Sequence, residues 1–78
     1  PEDLLQNDEF WQLIKEKSKN HQEYTVMYAS FSLALSPREI LAEYPRLFRD
    51  INEIYQHKAN LLVRLARDEE IKDFAGRR

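Results

Sequence analysis

The chain has 78 residues, enough for one small domain that buries only about 60% of its unfolded surface. It has no cysteine and one glycine, which excludes a disulfide framework, a thiolate nucleophile, a sulfur-ligated zinc site and a glycine-rich phosphate loop. Twelve basic residues against 14 acidic ones give a formal net charge of −2, without the overall basic excess of a nucleic-acid binder.

The first predicted element is a helix from about Asp8 to about Ser18. Asn7 is its N-cap, Asp8 and Glu9 lie at the positive end of the helix dipole, and Lys15, Lys17 and Lys19 lie near the negative end. Phe10, Trp11, Leu13 and Ile14 supply an apolar face, with Leu4 and Leu5 packing from the turn before it. Adjacent helical residues cannot both point at the middle of one face, so Phe10 or Trp11 is expected at the core's edge or exposed.

Residues 21–35, HQEYTVMYASFSLAL, carry two periods. Tyr24, Val26 and Tyr28 alternate like a strand, as do Phe31, Leu33 and Leu35, but the two sets fall out of phase at Ser30. Tyr24, Met27, Phe31, Ala34 and Leu35 instead share a helical face, and no turn residue supports a hairpin. The segment therefore reads as a helix, and as the most apolar stretch it is expected to be the most buried one.

Ser36-Pro37-Arg38-Glu39 matches a capping box with proline at the first helical position, and it starts a short helix from Pro37 to about Glu43. Pro45 then disfavours an α conformation at Tyr44 and marks a kink or a new helix. A long helix is expected from about residue 45 to 67. Its stripe is Leu47, Ile51, Ile54, Lys58, Leu61 and Leu65, spaced 4-3-4-3-4, with Phe48, Tyr55 and Leu62 beside it at intervals of seven. Asp68 caps a last short helix holding Ile71 and Phe74, and Gly76 ends it.

These elements predict an all-α fold, a small bundle of four to five helices forming one domain over residues 1–78. The expected core is Phe10, Ile14, Met27, Phe31, Leu35, Ile40, Leu47, Ile51, Ile54, Leu61, Leu62 and Leu65. A start at Pro1 and an end at Gly-Arg-Arg suggest a piece of a longer chain. No apolar run approaches the roughly 20 residues of a membrane span, and the lack of cysteine fits an intracellular setting whose compartment is open.

Chemistry-bearing groups are sparse. His57 follows Glu53 by one helical turn, a step that can orient an imidazole, but no second copy exists to complete a metal site and a solvated surface histidine is the simpler reading. His21 with Glu23 is no more suggestive. The chain is therefore expected not to be an enzyme, with no catalytic residue, metal, cofactor or small-molecule substrate.

Two surfaces remain. One tryptophan, four tyrosines and four phenylalanines are more aromatic area than so small a core hides easily, and such residues dominate interface hot spots. Trp11, Tyr24, Tyr28 and Tyr44 are the expected partner-binding residues of a protein-interaction or regulatory module, and the partner is another protein or a copy of the chain itself. Lys58 within the leucine seam can specify register or simply reach out to water. The alternative is a nucleic-acid-binding or transcription-associated domain using Arg46, Arg49, Arg64 and Arg67, which project with Glu53, His57 and Asn60 onto one helix face. Against it stands local pairing, Arg46 with Asp50 and Arg49 with Glu53.

Overall fold

Side-chain caps decide where each helix begins. In a computed structural model that describes residues 4–76, a 3₁₀ turn at Leu4–Gln6 leads into α1 (Asp8–Lys17), which is followed by α2 (His21–Met27). A π turn (Tyr28–Ser32) extends α2, and then come α3 (Pro37–Glu43), α4 (Ile51–Ala66) and α5 (Glu69–Ala75). Asn7, Asn20, Ser36, Asp50 and Asp68 stand at the five N-caps, each accepting a backbone N–H from the first turn. The described residues contain no strand, so the fold is all-α, and residues 24–32 of the ambiguous segment take the helical side. Pro1 and the closing Arg77-Arg78 lie outside the described residues.

Two boundaries differ from the expected ones. The helix that opens at His21 does not run to Leu35: its ladder widens into the π turn, and Ala34 enters the left-handed region at φ 58°. Leu33 N–H then donates to Tyr28 O and Leu35 N–H to Ala29 O, at 3.1 and 2.9 Å, which ends the helix. The cause lies just ahead, because Pro37 bars a helical Ser36 and the capping box needs Ser36 extended, at φ −74° and ψ 163°.

The long helix starts at Ile51 rather than near Pro45. Residues 45–47 form a turn, with Leu47 N–H donating to Tyr44 O at 3.0 Å, and the Gln22 side-chain amide donates to Leu47 O at 2.6 Å. Asp50 then caps α4 through Glu53 N–H at 2.9 Å, and the Glu53 carboxylate accepts Arg49 N–H at 2.7 Å. Both carboxylates are engaged with backbone, and among the described residues the expected ion pairs of Arg46 with Asp50 and Arg49 with Glu53 do not form.

α2 packs against α4 at the centre, α3 lies on α4 and the π turn, and α1 and α5 close the other side. Two apolar clusters result. Phe10, Trp11, Ile14, Met27, Leu61 and Leu65 form one, flanked by Leu4, Leu5, Tyr24, Ile71 and Phe74. Val26, Ala29, Ile40, Phe48 and Ile54 form the other, flanked by Leu35, Leu41, Tyr44 and Leu47. The body measures 37 × 23 × 15 Å.

Of the expected core, Phe10, Ile14, Met27, Ile40, Ile54, Leu61 and Leu65 are buried, and Leu35, Leu47 and Ile51 are half-buried. Phe31 and Leu62 are exposed, while Trp11, Val26, Ala29 and Phe48 take core places. α2 buries four of its seven residues, including the polar Glu23 and Thr25. No described helix is long and apolar enough to cross a membrane.

Candidate interaction surface

Trp11 is not on the surface. Phe10 and Trp11 are both buried because α1 has neighbours on two sides. Phe10 meets Phe74 of α5 with ring centres 6.1 Å apart, and Trp11 stands edge-on to Tyr28 and Tyr24 at 5.1 and 6.2 Å. The indole N–H donates to Leu5 O at 2.7 Å, so the polar end of Trp11 is also satisfied within the chain. Tyr24 and Tyr28 stack on each other, Tyr24 half-buried and Tyr28 exposed. Burial and the neighbouring Tyr28 push the Tyr24 hydroxyl pKa up. Together with Leu5, Asp8 and Ser32 these rings bound a shallow cleft of about 480 Å³. Tyr44 lies apart, half-buried against the second cluster. The four expected residues thus divide into a trio around α1 and α2 and one separate ring.

The arginine face is likewise divided. Arg46 and Arg49 precede α4, so they do not continue its helical face, and Arg67 follows it as the C-cap. All three side chains are exposed. Arg64 is committed inward: its two terminal nitrogens donate to the two oxygens of buried Glu23, each at 2.9 Å, and one of them also donates to Lys17 O at 2.9 Å. The guanidinium holds the Glu23 carboxyl below the ordinary carboxylate range, with Lys19 N–H adding to the effect and burial opposing it. Glu23 in turn raises the pKa of Arg64.

His57 is half-buried, 3.8 Å from Glu53 and against the Phe48 ring, rather than freely solvated. His21 Nε2 lies 3.4 Å from the buried Thr25 hydroxyl, the longest reach of a hydrogen bond, and no described carboxylate bonds its ring. Among the described residues no group of three or more His, Asp or Glu side chains could hold a metal.

The surface that stands out is the outward side of α4. Tyr55 is 55% exposed, Val63 54% and Leu62 39%, and the small residues Ala59 and Ala66 lie open between and beyond them. Tyr55, Ala59, Leu62 and Ala66 follow one another at intervals of 4, 3 and 4, which places them in one row along the helix. Lys58 borders the row, with its ammonium 5.0 Å from the centre of the exposed Phe31 ring. It is therefore neither a buried seam residue nor a free cation.

The sequence carried a signal for this row in Tyr55 and Leu62, seven apart beside the main stripe. What it did not carry was direction: α4 has one buried side, and that pair falls about a quarter-turn from its middle. The inner residues Ile54, Leu61 and Leu65 hold the helix against α2, so the outer row is presented on a fixed support. No protein-family model, curated protein or solved structure matches the chain.

Proposed function

We propose that this chain is a non-catalytic helical module that docks a protein partner, or serves a regulatory contact, through the outward side of α4. The observation that carries the reading is the row Tyr55, Ala59, Leu62 and Ala66 with Val63 beside it, apolar and open on the longest helix. Large apolar side chains left in water on a rigid element are the usual mark of a partner face, since burying each contributes about 1.5–3 kcal/mol. Tyr28, Phe31 and Leu33 extend the exposed apolar area from the π turn and the residue after it. The lack of cysteine suits an intracellular setting.

The arginine reading is the weaker one, because Arg64 is occupied by Glu23 and the remaining three do not share a helix face. The two readings separate in a capture experiment with nuclease-treated lysate, using the wild-type chain, Leu62→Glu and Arg49→Glu as baits. Circular dichroism of each bait establishes that it is folded. The docking reading expects proteins that survive nuclease, disappear with Leu62→Glu and persist with Arg49→Glu. Capture abolished by nuclease or by Arg49→Glu, and indifferent to Leu62→Glu, would overturn it.

A further inference from the structure

We infer that the partner of the α4 row is a second copy of this chain, paired antiparallel about a two-fold axis that passes between Ala59 and Leu62. This rests on the docking reading and names its occupant. The row has large and small residues in the order Tyr55, Ala59, Leu62, Ala66. Turning a copy about an axis at the row's midpoint sets Tyr55 opposite Ala66 and Ala59 opposite Leu62, and the same two contacts recur on the other side of the axis. Each large side chain meets a small one. That order is matched to its own reverse, which a helix from an unrelated protein has no need of and an isologous pair requires.

Size and charge agree with the match. Alanines at the contact let two helices approach to about 8 Å, the near end of the helix-packing range. The row runs about 16 Å along the axis, roughly two heptads with the polar Asn52 one step before it. No charge lies within the row, and its neighbours Asn52, Gln56 and Val63 are uncharged. Lys58, which borders the row within α4, is turned onto Phe31, and the charges of Arg67, Glu69 and Glu70 lie beyond the row's end at Ala66. Every row residue is exposed, so the copy needs no rearrangement of the chain to reach it.

The test is sedimentation equilibrium of the 78-residue chain over micromolar to millimolar concentration, joined to disulfide mapping. Wild type is expected to pass from monomer to dimer with rising concentration. Leu62→Glu, which places a carboxylate in the seam twice over, is expected to weaken association by at least about a hundredfold. The chain has no native cysteine, so single-cysteine variants report orientation cleanly. Oxidising an equimolar mixture of Ala59→Cys and Leu62→Cys is expected to give mainly the 59–62 heterodisulfide, because those positions face each other. Each homodisulfide would dominate in a parallel pair, and that result overturns the inference. So does a chain that stays monomeric throughout, or a dimer that Leu62→Glu leaves intact. A monomer that still captures Leu62-dependent partners from lysate sinks the second copy and leaves the docking reading standing.

Discussion

Arg64 and Glu23 are separated by 41 positions and meet across the α2–α4 contact, where one guanidinium joins the end of α1, the start of α2 and the last turn of α4. Read along its own helix, Arg64 is one more surface arginine, because periodicity describes a face and says nothing of what lies across from it. Glu23 was equally opaque, as a carboxylate early in a helix is ordinarily a capping or dipole residue. Its side chain is 3% exposed while that of Arg64 is 38% exposed, so removing the arginine strands a buried acid to which water gains only partial access. Arg64→Ala is expected to cost about 2 kcal/mol, read as a lower midpoint in urea. The acid titration of Glu23→Gln isolates the charge. Because Arg64 lowers the folded pKa of Glu23 beneath its ordinary 4.5, the stabilisation is fully present above that value and fades as pH falls through the folded value. Wild type should exceed Glu23→Gln in Tm most at neutral pH, with the gap closing as pH falls well below 4.5. A gap that stays constant with pH would mean that shape, and not charge, makes the contact.

At the scale of the element, caps were more legible than periods. Asn7, Ser36 and Asp68 announced α1, α3 and α5 correctly because a cap is a local bond between neighbours, formed whatever packs elsewhere. The start of α4 was misplaced because Leu47 and Phe48 continue its apolar spacing yet reach the core from a turn and the residue just after it, and Asp50 caps the helix beyond them. The end of the second helix was hidden for the opposite reason: no glycine marks it, and Ala34 takes the left-handed position that glycine usually fills. An L-residue there carries a steric cost of about 1–2 kcal/mol, partly offset in glycine by the greater entropy of its unfolded chain. Ala34 is exposed, so its methyl has little packing to lose. Ala34→Gly is accordingly expected to stabilise the chain by about 0.5–1 kcal/mol and to raise Tm by several degrees in a calorimetric scan. A lower Tm for this variant would mean that the turn is not strained as its φ implies.

Across the whole molecule, α4 is the one helix that gives buried residues to both apolar clusters from well-separated turns: Ile54 to one, Leu61 and Leu65 to the other. The outward row follows the same span, with Tyr55 behind the cluster of Ile54 and Ala66 behind that of Leu65. Its two ends keep a common geometry only if the clusters melt as one unit. A chain of this length is expected to have a total stability of about 4–12 kcal/mol, and Ile54→Ala should cost about 2–5 kcal/mol of it. The single tryptophan, Trp11, belongs to the other cluster and reports on it alone. If α4 couples the two, Ile54→Ala lowers the Trp11 fluorescence midpoint and the helical circular-dichroism midpoint together, by the same amount. If instead the Trp11 midpoint stays at its wild-type value while ellipticity falls early, the clusters are separate folding units. α4 would then be able to bend between Ile54 and Leu61, and a partner would have to order the Tyr55–Ala66 row on binding rather than meet it already formed.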